Sequence, residues 1–154
     1  MTFRRATLDD CAVLAELNHQ LIRDEGHRNP MTVPELERRM KSWLATEYTA
    51  VLFENSGALV AYAMYAEQPE RIYLRQLFVV RDHRRQGIGR QAMEILRSKI
   101  WPKDKRLTVE VLVGNTAAVA FWRAVGYRDY SLMLEIMPVA ASPVLKPVAK
   151  HNRQ

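Results

Sequence analysis

Cysteine is almost absent from this sequence, and long apolar runs are absent altogether. The single cysteine, Cys11, excludes an intrachain disulfide. Because it lies in a helical pattern beside Val13 and Leu14, we expect a small core residue. No apolar run approaches the ~20 residues that a membrane span needs, and MTFRRATLDD lacks the apolar stretch of a signal peptide. We therefore expect a cytoplasmic protein without a membrane partner, and we find no cluster with metal-ligand spacing.

The remaining composition is typical of a soluble globular protein. Of the 154 residues, 48% are hydrophobic and 26% are charged, and this length fits one domain. The net charge of +6 favours an anionic partner such as a phosphate-bearing cofactor. Aromatic residues do not alternate with the basic ones as they do in single-strand-binding grooves. Nucleic acid is therefore a disfavoured partner, and a homodimer stays open.

The apolar periodicity predicts the element order β-α-α-β-β-β-α-β-α-β, which defines an α/β protein with a mixed sheet. The pattern predicts a strand over 106–113, a helix over 115–125 and a final strand over 127–137. We expect a single domain over residues 1–137. From residue 138 onward, PVAASPVLKPVAKHNRQ has three prolines, a basic bias and no periodicity, which predicts a flexible tail.

A glycine-bearing basic turn directly precedes an amphipathic helix in RRQGIGRQAMEILRSKI, residues 84–100. Gly87 and Gly89 allow a tight turn and a close approach of the backbone to a ligand. The first N–H groups of a helix lack internal partners, and the helix dipole adds partial positive charge there. Together with the nearby arginines, these features predict a pyrophosphate site. The stretch lacks the Gly-x-x-x-x-Gly-Lys-Ser/Thr pattern of the nucleotide P-loop. It also departs from the dinucleotide fingerprint Gly-x-Gly-x-x-Gly, because residue 92 is Ala and no acidic residue stands at the strand end that this fold requires.

The context of this turn resembles the GNAT superfamily of N-acetyltransferases. LFVVRDHRRQGIGRQAMEIL is similar to the acyl-CoA signature Arg/Gln-x-x-Gly-x-Gly/Ala of that family, with Arg84, Gly87 and Gly89 in the fixed places. Downstream, NTAAVAFWRAVGY is similar to the second element of the family through Asn115 and Gly126, and also through Ala118 and Phe121. The resemblance covers about residues 2–137. It implies a mixed, mostly antiparallel central sheet flanked by helices, with acetyl-CoA as co-substrate.

The resemblance also implies how the cofactor is held. The backbone of a splayed strand end would bind the pantetheine arm, the turn would take the pyrophosphate, and the helix over 115–125 would form one wall. The cofactor-binding residues implied in this way are Phe78, Val79, Val80, Arg84, Arg85, Gln86, Gly87, Ile88, Gly89, Arg90, Asn115, Phe121 and Trp122. Asn115 is also a candidate helix cap.

Two positions depart from the pattern of the family. Trp122 stands where the family usually has a tyrosine that protonates the departing thiolate, and an indole N–H is no practical proton source. Arg75-Gln76 stand where an acidic residue often lies near the amine. We therefore take Glu110 as the candidate base, because a carboxylate in mid-strand of a covered sheet needs a reason. Several peptide N-acetyltransferases of the superfamily have a glutamate at the matching place. The alternative is a solvated glutamate on an incompletely covered face.

The acceptor site is predicted near RDEGHRNPM, the connection between the first two helices. In the family this segment forms one wall of the acceptor site; here Asp24 and Glu25 would attract an ammonium and His27 could relay a proton. The alternative is a hydrophilic helix end. The sequence thus predicts transfer of an acetyl group from acetyl-CoA to a small-molecule or peptide amine by direct attack. An acyl-CoA-binding module with little turnover and a basic nucleic-acid-associated protein stay open as alternatives.

Overall fold

The computed structural model describes residues 1–139. Its elements, in chain order, are β1 (Thr2–Arg5), α1 (Cys11–Asp24), α2 (Val33–Ala45), β2 (Tyr48–Asn55), β3 (Ala58–Glu67), β4 (Arg71–Val79), α3 (Ile88–Ile95), β5 (Arg106–Val109) and α4 (Thr116–Ala124). Single 3-10 turns precede α1 and α3, and wider π-type turns extend α3 through Leu96–Ile100. Most of the predicted tail, from residue 140 on, lies outside the described residues.

The five strands form one mixed sheet in the order β1-β2-β3-β4-β5. The first four strands pair antiparallel, whereas β5 joins β4 in parallel, so the prediction of a mixed, mostly antiparallel sheet is confirmed. A hairpin joins β2 to β3 at Ser56 and Gly57, which have φ of 50° and 80°. Two positive φ values at the central positions are those of the turn that best matches strand twist.

Helices cover both faces of the sheet, as the alternation of apolar residues in β2 requires. Val51 and Phe53 point to the face of α3 and α4, and Ala50 and Leu52 point to the face of α1 and α2. Cys11 is fully buried in the second cluster, which agrees with its predicted place in the core. In the described part of the chain, no helix is long and apolar enough to cross a membrane.

The helices begin where the local sequence predicts. The Thr32 hydroxyl accepts from the Glu35 amide while the Glu35 carboxylate accepts from the Thr32 amide, which is a capping box. Gly26, with φ of 71°, follows α1 and ends it. These signals fix where α1 ends and α2 begins, and thereby the length of the connection between them.

The predicted final strand over 127–137 is wrong. Residues 127–139 form neither helix nor strand, and β5 ends at Val109 instead of continuing to residue 113. The residues of both segments carry strand-type side chains, but these side chains are exposed, with Ile136 97% and Val113 78% accessible. A strand needs a neighbour to accept its backbone hydrogen bonds, and within residues 1–139 neither segment has one.

Candidate active site

β4 and β5 separate at the point where β5 ends and β4 continues, and we call this gap the splay. Their parallel pairing ends at Leu74 and Val109, and β4 continues for five residues beyond that point. A bulge at Arg75 shifts the alternation, so Leu74 faces α3 while Phe78 faces α1 and α2. Over residues 75–79, β4 therefore has no strand on its β5 side within the described residues. The backbone that the family resemblance assigns to the pantetheine arm begins at this open edge, at Phe78.

The chain between β4 and α3 forms an exposed loop, which we call the cradle loop (residues 80–87). Arg84 fastens it to the sheet: its Nε donates to the Val79 carbonyl over 2.9 Å, and its guanidinium lies 5.1 Å from the centre of the Phe78 ring. Arg85 has φ of 63° and Gly87 has φ of 75°. Left-handed backbone at a non-glycine residue costs energy and is common at binding sites.

The cradle loop and the first turn of α3 carry a run of amide groups without backbone acceptors. Within residues 1–139, none of the N–H groups of residues 85–90 donates to a backbone carbonyl, and the Gly87 N-cap has no side-chain cap. Ile88 is buried in the core and anchors the turn, while Arg85 and Arg90 are exposed. These amides, the positive end of α3 and the two cations suit a pyrophosphate.

Gly89 has a second reason to be glycine. A Cβ at this position would lie 3.2 Å from the Cε1 and Cζ atoms of Phe121. Glycine therefore lets α3 pack closely against α4. By contrast, nothing lies within 4 Å of a Cβ at Gly87, so that residue is explained by its positive φ alone. Gly87 thus permits a left-handed backbone, whereas Gly89 permits close packing of two helices. Their spacing in the sequence could not show this distinction.

The residues that the resemblance placed on the α4 wall are chiefly in packing and capping contacts. The Asn115 side-chain oxygen accepts from the Ala118 amide over 3.2 Å, which confirms the helix cap and leaves the amide nitrogen able to donate to a ligand. The Trp122 ring meets Phe121 and Tyr127 edge to face, at 4.9 and 5.5 Å between centroids. This packing explains an aromatic residue at 122 without a proton-transfer role.

Asp24 is bound to the cradle loop. Its two carboxylate oxygens accept from Arg81 over 2.9 Å and from Arg84 over 2.8 Å. Although partial burial acts in the opposite direction, these hydrogen bonds hold the pKa of the Asp24 carboxyl below its usual range. Because its charge is already matched by two arginines, Asp24 ties α1 to the loop and is poorly suited to attract an ammonium. The ion pair of Arg81 with Asp24 was not predicted from the sequence. The one indication was the position of Arg81 three residues before Arg84.

Glu25 and His27 form a separate pair. His27 Nε2 lies 3.0 Å from Glu25 Oε1. Burial raises the pKa of the Glu25 carboxyl, although His27 acts in the opposite direction. Burial also raises the pKa of Tyr62, with a further contribution from the charge of Glu25. The Tyr62 hydroxyl donates to Gln76 Oε1 over 2.9 Å, at the splay.

Glu110 lies elsewhere than in mid-strand, so the argument from a covered sheet is wrong. It follows β5 directly, is exposed, and stands at the splay, because β5 has lost its pairing with β4 there. The Tyr73 hydroxyl donates to Glu110 Oε1 over 3.1 Å. Burial, and next the charge of Glu110, raise the pKa of Tyr73 to about 12. We did not identify Tyr73 from the sequence, although it is an aromatic residue between the apolar residues Ile72 and Leu74.

A basic aromatic cluster at the bulge was also missed. The guanidinium carbons of Arg39 and Arg75 lie 4.2 and 4.6 Å from the centre of the Trp43 ring. Arg75 donates to the Tyr48 hydroxyl over 3.3 Å, and Arg39 donates to the Asn18 side chain over 3.1 Å. Burial lowers the pKa of Arg39, and the charge of Arg75 lowers it further. Arg75 therefore places a positive charge at the bulge of β4, directly after the last residue that pairs with β5.

Comparison with protein families now adds to this geometry. The profile of the Acetyltransferase (GNAT) family matches residues 14–127. This match covers most of the chain, and the chain belongs to the GNAT acetyltransferase family. No curated protein sequence matches the chain significantly.

Several solved structures share the fold. A variant of the BH1408 protein from Bacillus halodurans is 23% identical, with a TM-score of 0.75 over 90% of this chain and 100% of that one. A predicted acetyltransferase with acetyl-CoA from Clostridium acetobutylicum is 17% identical, with a TM-score of 0.68 over 88% and 95%. Aminoglycoside N-acetyltransferase AAC(6')-Iy in complex with CoA is 13% identical, with a TM-score of 0.70 over 90% and 94%.

Proposed function

We propose that this chain transfers an acetyl group from acetyl-CoA to a primary amine by direct attack, without an acyl-enzyme. The observation that carries the proposal is the run of amides at residues 85–90, which opens at the start of α3 beside the open edge of β4. Membership of the acetyltransferase family and the neighbours with acetyl-CoA or CoA support it. We infer that residues 1–137 form the catalytic domain and that it acts in the cytoplasm.

The chain has separate groups for the separate parts of acetyl-CoA. The amides of residues 85–90 bind the pyrophosphate, with added charge from Arg85 and Arg90. The backbone of Phe78 to Val80 holds the pantetheine arm, and the Asn115 amide nitrogen donates to that arm. Arg84 acts on the loop and not on the ligand, because its hydrogen bonds to Val79 and Asp24 already direct its guanidinium.

Acetyl-CoA supplies an activated acetyl thioester, so the chain must supply a neutral amine. A lysine-like ammonium has a pKa near 10.4, and its neutral form is disfavoured at pH 7 by about 4–5 kcal/mol. Glu110 stands at the splay with one carboxylate oxygen held by Tyr73 and is exposed to an incoming amine. We assign it as the base that removes the ammonium proton, with Tyr73 as its positioning residue.

Glu25 and His27 supply the acceptor wall in this proposal. Their pair lies at the end of α1, on its connection to α2. The Glu25 carboxylate attracts the ammonium of the acceptor. Arg75 adds a cation at the bulge of β4. This cation favours an acceptor that has an anionic or polar group besides its amine.

A second candidate function is an acyl-CoA-binding module with little turnover. Two observations favour it: the Trp122 ring is used in packing, and Glu110 has a single hydrogen-bond partner within the described residues. Binding of acetyl-CoA without thiol release on any amine would support this alternative. Steep salt-dependent binding to generic DNA or RNA would support the third candidate, a basic nucleic-acid-associated protein.

The experiment is a broad amine screen that reads thiol release from acetyl-CoA. The panel contains small amines, amino acids, aminoglycosides, peptide N-termini and tRNA-linked amines. We expect at least one class to release thiol well above the rate of hydrolysis without amine. The matched control is the Arg85→Glu/Arg90→Glu variant, in which the pyrophosphate site is reversed in charge while both side chains are exposed. Equal turnover in parent and variant would contradict the proposed site.

A further inference from the structure

Two arginines at the bulge of β4 lie against the same aromatic ring. The guanidinium carbons of Arg39, from α2, and Arg75, from β4, are 4.2 and 4.6 Å from the centre of the Trp43 ring. Arg75 also lies 5.8 Å from the centre of the Tyr48 ring, which packs against Trp43 at 5.0 Å. We call these four residues the basic aromatic cluster. It brings two positive charges together on a small aromatic surface.

The two charges of the basic aromatic cluster have only uncharged partners. Arg39 donates to the Asn18 side-chain oxygen over 3.1 Å, and Arg75 donates to the Tyr48 hydroxyl over 3.3 Å. Within residues 1–139, neither arginine forms an ion pair with a carboxylate. Because two neighbouring cations repel each other, an anion that binds to both is favoured. The arginines of the described chain that do pair with a carboxylate are Arg4, Arg28, Arg81, Arg84 and Arg123.

Contacts within the chain hold Arg39 in place. Its guanidinium is bound by the side chain of Asn18, which is fully buried, and stacks on the Trp43 ring. Its Nε atom is buried without a hydrogen-bond partner in the described chain. Burial lowers the pKa of Arg39, and the charge of Arg75 lowers it further. Cations that are held close together in this way, with restricted side chains, are typical of a site that binds an anionic ligand.

Glu110 and the basic aromatic cluster lie on the same face of the sheet. Tyr73 packs against the core that the sheet forms with α1 and α2, where Trp43 and Tyr48 also lie. The Tyr73 hydroxyl donates to Glu110 Oε1 over 3.1 Å, which brings this carboxylate to the same face. Arg75 follows Tyr73 by two residues on β4 and lies over Trp43. A small molecule on this face can therefore meet Glu110 with one group and the two arginines with another.

We propose that Arg39 and Arg75 bind a carboxylate of the acetyl acceptor, so that the acceptor is a small molecule with both a primary amine and a carboxylate. This inference rests on the proposed acetyl transfer and narrows its substrate class. The amine lies at Glu110 and the carboxylate at the basic aromatic cluster. A guanidinium suits a carboxylate because it offers two parallel N–H donors as well as a charge.

The basic aromatic cluster also disfavours other classes of amine. A simple alkylamine leaves both arginines without an anionic partner, so it gains nothing from them. An amine with several ammonium groups, such as an aminoglycoside, meets two cations of the same sign, and like charges brought together weaken binding. The cluster therefore selects by attraction of one class and by repulsion of another.

The first test measures binding of a carboxylate that has no amine, so it does not depend on turnover. The indole N–H resonance of Trp43, assigned by its loss in Trp43→Phe, is followed by NMR while butyrate is added at constant ionic strength. We expect a saturable shift in the parent and the loss of most of it in Arg75→Gln, which changes an exposed side chain. The matched control is Arg38→Gln, which changes the exposed arginine beside Arg39 on α2 and should bind butyrate as the parent does.

Two further probes sharpen the first test. Butyramide, which is close to butyrate in shape but has no charge, should give no saturable shift. Arg75→Lys, which keeps the charge but loses the planar pair of donors, should bind butyrate more weakly than the parent and more tightly than Arg75→Gln. The proposal would be overturned by a parent without a saturable shift, by an equal shift in Arg75→Gln, or by saturation with inorganic phosphate and not with butyrate.

The second test compares two forms of the best acceptor from the amine screen, one with its carboxylate and one with that group converted to the amide. We expect kcat/KM to be about tenfold to 100-fold higher for the carboxylate form, chiefly through KM, as is usual for hydrogen bonds to a charged group. Arg75→Gln should lose most of this preference. A best acceptor without any anionic group, or an unchanged preference in Arg75→Gln, would contradict the proposal.

The two tests separate this inference from the proposed function. A butyrate shift that depends on Arg75, without thiol release on any amine, would support the carboxylate site and contradict acetyl transfer. Thiol release without any butyrate shift would support acetyl transfer and contradict the carboxylate site.

Discussion

The two sides of the splay between β4 and β5 differ in how far their residues are buried and bound by contacts within the chain. We call the β4 side complete and the β5 side incomplete. On the β4 side, Phe78 and Ile88 are buried, Arg84 fastens the cradle loop to Val79, and Asp24 joins the loop to α1. On the β5 side, the strand has four residues, α4 has no buried residue, and residues 128–139 are exposed.

This difference separates most of the groups assigned to acetyl-CoA from the group assigned to proton removal. The groups assigned to acetyl-CoA belong mostly to the complete side and are held by contacts within one chain. Glu110, the proposed base, belongs to the incomplete side and has Tyr73 as its hydrogen-bond partner there. Cofactor binding should therefore tolerate changes around β5, whereas acceptor chemistry should respond to them.

The largest effect is expected at Glu110. Glu110→Gln keeps a side chain that can accept from Tyr73 but cannot take a proton, so turnover should fall on the order of 10²–10⁴-fold at neutral pH. It should recover as pH rises and the free amine becomes abundant. The measurement is a pH–rate profile on the amine found in the screen, beside the affinity for acetyl-CoA, which should not change. A flat result would move the base to the Glu25–His27 pair or leave desolvation of the amine as its substitute.

The next effect tests the packing of α3 against α4. Gly89→Ala introduces a Cβ 3.2 Å from the Phe121 ring; overpacking of this kind costs about 1–3 kcal/mol of unfolding free energy, from which the gain of about 0.5–1 kcal/mol for alanine over glycine in a helix is subtracted. Chemical denaturation measures the loss. Gly89→Ala/Phe121→Leu should regain part of it, because the smaller side chain can move away. If Phe121→Leu gives no relief, the glycine is explained by the ligand alone.

A smaller effect is expected from acid. The pKa of Asp24 is lowered in the folded state, so its contribution to stability is complete above its unfolded pKa of about 3.9 and is lost as pH falls through the folded pKa. For pairs of this exposure the contribution is less than about 1 kcal/mol. Asp24→Asn should reduce the slope of stability against pH below about 4. Asp10, whose pKa is lowered by its hydrogen bond with Arg4, keeps its own share of that slope.

The smallest effect is expected at Trp122. Its ring packs between Phe121 and Tyr127, so Trp122→Phe should retain kcat within about tenfold, well short of the 10²–10⁴-fold of a lost general acid. Water can protonate the thiolate after departure, because thiol pKa values lie near 8.5. A variant that binds acetyl-CoA normally but has lost turnover would show that the indole takes part in the chemistry.

Local signals in the sequence predicted several features around the candidate cofactor site. The tight turn at Gly87, the Asn115 cap of α4 and the strand–turn–helix order all follow from residues close together in the chain. The rest depends on partners distant in sequence. The contact of Gly89 with Phe121 and the bond of Asp24 to Arg81 could not be deduced from spacing. For the final strand the pattern was present, but a strand forms only where an edge is available.

The most direct test of the central claim is the melting temperature with and without acetyl-CoA. Binding to the native state alone at about 100-fold over Kd adds roughly 2.7 kcal/mol, which corresponds to roughly 5–10 °C for a chain of this size. The account predicts a rise of this order in the parent and little or none in Arg85→Glu/Arg90→Glu. No rise in the parent at millimolar acetyl-CoA, or an equal rise in the variant, would contradict the assignment of the cradle loop as the cofactor site.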